Sequence, residues 1–500
     1  MMVLLKMFFR RFLIILVLLL HNFPLDAQQM SGPVLGNYAG ISSLQVNPSA
    51  MHNSKTYLDI QFLGVDVFLQ NNFLYIDKKD YKFSNFFKSG YEFPTHPEDY
   101  GTEVRNFYTY PNKRAKSAFS NVRIDGPGAM LIWGDHAFAI TTAARQVLSI
   151  HNVPYELANF AYLGLNYKPQ QNINYQDNKP FSLAEMAWAE VGLSYAYIFY
   201  ARGIDKLSAG ISIRRLFGFA GAYLFSRQLD YIVINDSTLN VKNLNAEMGM
   251  SLPVAYDGNS IPDDKTVKGG GFGFDIGITY QRLIKSHQRD YFPTLCAQRY
   301  EDYLYRIGVA LIDIGGIQFK TNARKYAIDN RSSYWENLTK KGLDYKNIEQ
   351  LFDTISYKFY GNSEEALVGE KFTMWLPSAL SVQFDYHFRD NWYVNASLIY
   401  GFSLSRTSLA RPAELTITPR YESRWFEASL PVSLYDWYLT RIGLALRFYG
   451  FTIGTDKLGG FFNLNDFTGL DIYFSIKLFF NKGRCKGVKR TPCGNREFNP

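Results

Sequence analysis

The sequence predicts an all-β protein: a transmembrane antiparallel β-barrel of about fourteen strands with an N-terminal plug segment. Three observations point there. Aromatics make up 17% of 500 residues, with 36 Tyr, 40 Phe and 38 Gly; strict apolar/polar alternation runs over long stretches; and a short apolar leader opens the chain. Tyr, Phe, Gly and Ser are residues of strands and tight turns, while Leu/Ala helical stretches are scarce. So many aromatics beside a mean hydropathy of -0.17 exclude intrinsic disorder. Length alone would allow several soluble domains or one large barrel.

The elements follow in chain order. Lys6, Arg10 and Arg11 precede the apolar run Phe12 to Leu20, and Pro24-Leu25-Asp26-Ala27-Gln28 offers a small residue for cleavage. Residues 1–27 therefore read as a secretory signal peptide. Nine apolar residues are too few to span a bilayer as a helix, and no Cys follows for lipid attachment. No later stretch reaches ~18 uninterrupted apolar residues, which excludes a helical membrane protein. Residues 28–55, punctuated by Gly32-Pro33, Gly36, Gly40 and Pro48, are too short and too broken for a domain. They read as a plug folded into a lumen, or as a mobile leader beside it.

Residues 56–481 carry the barrel signal. Phe272, Phe274, Ile276, Ile278 and Tyr280 alternate with Gly273, Asp275, Gly277, Thr279 and Gln281. Leu380, Val382, Phe384, Tyr386 and Phe388 alternate with Ala379, Ser381, Gln383, Asp385 and His387. Soluble sandwich strands run ~5 to 6 residues, whereas these patterns persist for roughly 10 to 15, and a barrel strand needs ~9 to 11 to cross the hydrocarbon layer. The segments are 57–69, 126–134, 135–149, 185–200, 206–219, 223–236, 238–251, 270–284, 303–314, 376–389, 391–406, 413–430, 436–456 and 468–480. With the N-terminus periplasmic, the long connections 70–125, 150–184, 252–269 and 315–375 fall outside and tight ones such as Gly134-Asp135 fall inside. The connection 285–302, containing Cys296, breaks this rule: either the count slips there or a periplasmic excursion exists. Short helices are expected within Asn152–Asn166 and within 329–365.

Residues 482–500 form a basic tail with Lys482, Arg484, Lys486, Lys489, Arg490 and Arg496 against Glu497. Residues 28–481 hold 44 basic and 43 acidic residues, so nearly all of the net charge of +8 resides at the ends and no basic face marks a nucleic-acid binder. Cys485 and Cys493 form a candidate disulfide loop in an oxidising compartment, or stand as free thiols; with no His nearby they make a poor zinc site.

No nucleophile elbow, His-Glu-x-x-His, Walker loop or Cys-x-x-Cys occurs, so no catalytic residue, metal or cofactor is assigned and the chain is not read as an enzyme. Asp385 and His387 share a polar face but read as lumen residues in a hydrogen-bonded network. Arg214, Asp275, Arg306, Asp385, His387, Arg441, Arg447 and Lys477 are candidate lumen-facing charges, because a charge aimed into lipid at mid-depth costs ~2 to 4 kcal/mol. They line a permeation path or pair across the lumen and hold the plug; similar numbers of both signs favour pairing.

Gly36-Asn37-Tyr38-Ala39-Gly40 and Val46-Asn47-Pro48-Ser49-Ala50 resemble the start of FadL-like outer-membrane proteins, where an Asn-Pro-Ala element lies in a plug segment; Asn47 and Pro48 carry the likeness, with Ser49 in place of the alanine. Gly454 to Leu458 and Gly469 to Tyr473 resemble the last hairpin of barrels similar to the PorV and PorP/SprF proteins of type IX secretion and gliding machinery. The resemblance implies a Gram-negative outer membrane with both termini periplasmic. It also implies a channel or transporter for small, hydrophobic molecules. The alternative is a structural or adaptor barrel holding a protein partner through its external loops or tail. Partners would be outer-membrane lipid, a small hydrophobic ligand or that protein, and no nucleic acid.

Overall fold

The computed structural model describes residues 32–88, 90–97, 104–256, 265–287, 294–338 and 347–483. The leader, the start of the plug segment and Cys485 and Cys493 lie outside them. β1 (Thr56–Asn71) pairs with β2 (Lys116–Asp125) and β3 (Gly128–Trp133), which make one stave interrupted at Gly126 and Pro127. β4 (His136–Val153), β5 (Phe181–Arg202) and β6 (Asp205–Val233) follow. β7 (Leu239–Ser251) and β8 (Gly269–Leu283) pair with successive halves of β6. β9 (Tyr303–Phe319) and β10 (Ala323–Trp335) continue one another beside them. β11 (Phe372–Trp375) and β12 (Ala379–Arg389) share a stave, followed by β13 (Trp392–Gly401) and β14 (Glu414–Glu422). β15 (Phe426–Ser429) with β16 (Val432–Tyr435), and β17 (Leu439–Ile442) with β18 (Leu444–Phe448), are further interrupted staves. β19 (Phe451–Thr455) and β20 (Gly469–Asn481) complete the ring, and β20 pairs with β1, Thr56 opposite Asn481. Fourteen antiparallel staves thus close on themselves, which removes the sheet edge.

Alternation gives the two faces of the wall. Phe272, Phe274, Ile276 and Ile278 on β8 are 50, 43, 56 and 51% exposed, while Asp275, Thr279 and Gln281 between them are buried. The same holds on β9 and β12, where Ile307, Val309, Leu311 and Phe384 point out. A continuous belt of such side chains suits hydrocarbon and not water. Among the described residues no helix is long and apolar enough to cross a membrane.

The stave number equals the expected fourteen, but two assignments are corrected. Segments 206–219 and 223–236 are one strand, β6, of 29 residues, and 238–251 pairs with its outer half rather than adding a stave. In compensation, 413–430 and 436–456 each contain a tight turn, at 423–425 and at Tyr449-Gly450, and each supplies two staves. β2 lies inside what reads from sequence as the connection 70–125. The outer half of β6, with β7, β10, α1 (Tyr155–Leu163) and α2 (Ile348–Tyr360), forms an outer domain around Phe160, Tyr231, Tyr326, Trp335 and Phe352. α2 is bounded as its sequence directs: Asn347 accepts from Gln350 N–H at 2.8 Å, and Gly361 closes it in the left-handed region at φ 76°.

The first stave begins and the last ends at the short-turn end of the barrel. The connection between β8 and β9 is the long one at that end, so the count does not slip there and the excursion is real. It carries Cys296, which is disulfide-bonded, and the Gly483 N–H donates to its carbonyl at 2.7 Å. The expected Cys485–Cys493 loop lies outside the described residues.

Candidate functional site

Residues 32–55 lie within the ring, touching inward side chains from many staves. Two short 3₁₀ turns, Gly40–Gln45 and Pro48–Asn53, give the segment its shape. Asn47 caps the second: its side-chain oxygen accepts from Ser49 N–H (2.9 Å) and Ser49 Oγ (2.7 Å). Its amide Nδ2 donates to Gln383 Oε1 on β12 (2.9 Å) and to the Ile278 carbonyl on β8 (3.3 Å), and Ser49 Oγ meets Thr279 Oγ1 at 2.6 Å. The seat exists because Gly210, Gly277 and Gly308 sit on three adjacent staves; a Cβ on any of them would collide with Asn47, Pro48 or Ser49. Arg306 donates to Asn37 Oδ1 (2.7 Å) and the Asn53 carbonyl (3.1 Å), Glu422 accepts from Asn37 N–H (2.9 Å), and Lys477 donates to the Tyr38 carbonyl (3.0 Å).

The structure places seven of the eight expected lumen charges inside and pairs them. Arg214 meets Asp275 at 2.6 Å and Asp313 at 2.8 Å. Asp385 takes Arg420 at 3.0 Å, together with Arg306 and the Tyr303 hydroxyl. Arg447 pairs with Glu427 at 2.9 Å, Lys477 with Asp59 at 3.4 Å, and Arg441 with Glu414. His387 stands apart at the short-turn rim, bonded to the Asp390 carbonyl (2.8 Å) and stacked on Tyr393 at 4.4 Å, with no bond to Asp385.

Sequence reasoning missed Arg123, Arg145, Glu190, Asp313, Arg411 and Arg420. Parity along the strands would have given Arg145, Glu190 and Arg420. Asp313 was hidden by a bulge: its φ is +57°, the ladder slips between Phe274 and Ile276, and both Ile312 and Asp313 turn inward. Asp313 then collects Arg145 (2.8 and 3.1 Å) and Arg214.

Two cavities meet in this region. One of about 60 Å³ lies in the lumen beside Gln45, Asp66, Asn121, Arg145, Arg214 and Asp275, and reaches Gly126, Gly128 and Thr142 at the interruption between β2 and β3. There Pro127 is exposed and contributes no N–H to the ladder, and Thr142 caps the break by donating to the Pro127 carbonyl at 2.8 Å. The carboxylate of Asp66, Asn121 Oδ1, and Nε of Arg145 and Arg214 hydrogen-bond to no protein group there. The other cavity, about 270 Å³, is a pit at the long-loop mouth between Gln70, Ser117 and His151 on one side and Tyr400, Tyr435 and Trp437 on the other. Phe119 and Arg411 line both cavities and form the partition between them. Arg411 stands on the connection 402–413, which folds inward: Leu409 is fully buried with its N–H on the Trp375 carbonyl (3.1 Å), and Ser149 Oγ meets both the Ala410 carbonyl and the Ala410 N–H at 3.0 Å.

A closed antiparallel ring with an apolar outer belt and a polar, plugged interior defines a β-barrel of the outer-membrane type. The chain belongs to the family described as "Family of unknown function (DUF5723)", which matches residues 48–456. Among solved structures it is similar to the toluene transporter TbuX of Ralstonia pickettii, at 11% identity and a TM-score of 0.38, covering 92% of this chain and 100% of that one. A FadL homologue of Pseudomonas aeruginosa matches at 10% identity and a TM-score of 0.36, over 92% and 99% of the two chains. The toluene transporter TodX of Pseudomonas putida matches at 9% and 0.31, over 91% and 98%. No curated protein matches the sequence significantly.

Proposed function

We propose that the protein is an outer-membrane channel for small amphipathic molecules, held closed by residues 32–55 from the periplasmic side and by the connection 402–413 from outside. The observation that carries this reading is the partition of Phe119 and Arg411 between the outer pit and the lumen cavity. Phe119 belongs to the β2 ladder, but Arg411 stands on an inward-folded connection, so its half of the partition can move without breaking the wall. The lumen cavity in turn reaches the break at Gly126-Pro127, a lateral way out through the wall. Cargo so routed meets buried charges and polar atoms, which moves the expectation from a purely hydrophobic molecule to one with a polar end. In liposome swelling, deleting residues 404–410 should raise permeation of small solutes about tenfold or more, and deleting 32–53 should raise single-channel conductance. Vesicles that stay impermeable with both deletions would defeat the channel reading.

A second reading, an adaptor barrel of a secretion or gliding machinery, draws on the ion pairs that fill the lumen and on the outer domain. Stoichiometric co-purification of a protein, with both deletions impermeable, would favour it.

A further inference from the structure

The outer pit has a chemistry that the closed lumen does not use. Asp313 is already engaged by Arg145 at 2.8 Å and Arg214 at 2.8 Å when Arg411 approaches it, and Arg411 reaches no closer than 3.6 Å. The Arg411 side chain is only 7% exposed, and Asp313 at 3.6 Å is the acid it pairs with. A nearly buried guanidinium held only at ion-pair distance keeps its donors for a further acceptor on the side that faces the pit. The face it presents to the pit lies beside Phe119 and Tyr435, both buried, and below Trp437 and Tyr438, which are 54 and 40% exposed. Tyrosines aside, the other titratable side chains lining the pit are His151 and Asp436.

We propose that this pit binds a small carboxylate, its two oxygens on the Arg411 guanidinium and its compact apolar or aromatic part against Phe119, Tyr435, Trp437 and Tyr438. The planar fork of arginine matches a carboxylate with two parallel hydrogen bonds, and flat rings beside it suit an apolar body. One guanidinium opposite Asp436 favours a singly charged ligand over a phosphate dianion. The volume, about 270 Å³, sits just under the ~300 Å³ at which ligand pockets begin and excludes a long acyl chain. Binding also competes with Asp313 for Arg411, so the ligand itself loosens the partition it must pass. The inference rests on the channel reading for its purpose, but the site can be tested alone.

The test uses the full chain in detergent, titrated calorimetrically with benzoate and with benzamide as its uncharged isostere. Saturable benzoate binding is expected, with benzamide at least about tenfold weaker. R411Q should weaken benzoate at least about tenfold and leave benzamide unchanged, R411K should fall between, and retained heat-modifiable mobility shows that both variants fold. No benzoate binding, equal binding of benzamide, or R411Q and R411K binding benzoate as the wild type does would each overturn the proposal. Benzoate binding that depends on Arg411 in a barrel impermeable to every solute would support the site and defeat the channel reading. Solute flux without dependence of benzoate binding on Arg411 would defeat the site alone.

Discussion

Replacing Gly277 by alanine tests whether the plug is held by its glycine seat. The added Cβ would collide with the Asn47 side chain and come within 2.8 Å of the Ala310 Cβ, so Asn47 must leave. It would take with it the bonds to Gln383 (2.9 Å) and the Ile278 carbonyl (3.3 Å), and it would disturb Ser49 on Thr279 (2.6 Å). At about 1 kcal/mol net per buried hydrogen bond, with part of an unsatisfied amide added, docking of the segment should weaken by ~2 to 4 kcal/mol. At 1.4 kcal/mol per decade this multiplies the undocked population by roughly 30 to 700. The wall should keep its staves, with β8 and β9 giving locally where the new Cβ meets the Ala310 Cβ, because alanine is otherwise at least as good as glycine inside a strand. Planar-bilayer recordings should show longer and more frequent openings, hydrogen exchange at residues 40–53 should accelerate, and the folded barrel should keep its heat-modifiable mobility. Gly369→Ala, whose Cβ would meet nothing within 4 Å, is the control. Unchanged exchange and unchanged conductance in Gly277→Ala would refute the argument that this seat holds the segment.

Asp385→Asn would leave Arg306 and Arg420 buried around a neutral amide, and should lower the barrel's stability by about 3 to 5 kcal/mol, read as faster unfolding in denaturant. In the outer domain, burial first and then the charges of Glu156 and Asp230 push the Asp177 carboxyl up from 3.8 to about 6, so the folded state favours its protonated form. That contribution is fully present below the unfolded value and is lost as pH rises through about 4 to 6, so Asp177→Asn should stabilise the outer domain at pH 7 and leave it unchanged near pH 3, as measured by hydrogen exchange. Alkylation of the denatured, unreduced chain should spare Cys296, and reduction should expose it to labelling; a Cys296 labelled without reduction would contradict its disulfide.

The outward face of the wall was legible because it depends on a period of two and on nothing distant. Phe272 to Ile278 declare themselves within one strand, and each stave repeats the test. What was hidden had three physical causes. A bulge shifts parity by one residue, so Phe62 and Leu63 both face out and Asp313 turns in. A strand that continues beyond the membrane keeps its alternation, so β6 looks like two staves. And Arg411 reaches the lumen only because a connection folds across the mouth onto Ser149, a contact between residues 261 apart in sequence.

The correct stave number is weaker support for the sequence-level register than it looks. A ring whose first and last strands pair antiparallel, with both chain ends on one side, must have an even number of staves. Two strands counted in excess at 223–251 and two overlooked within 413–456 preserve that parity, so closure could not expose either error. The interior charges are the stricter test, because a slip of one residue would turn Arg214, Asp275 and Asp385 into the lipid at ~2 to 4 kcal/mol for the arginine and less for the acids. Seven of the eight expected charges point inward and meet partners, which fixes the register locally in β6, β8, β9, β12, β17, β18 and β20. Where no such charge was assigned, as in β2 and in the connection 402–413, the sequence had no comparable restraint, and there the two cavities and their partition lie.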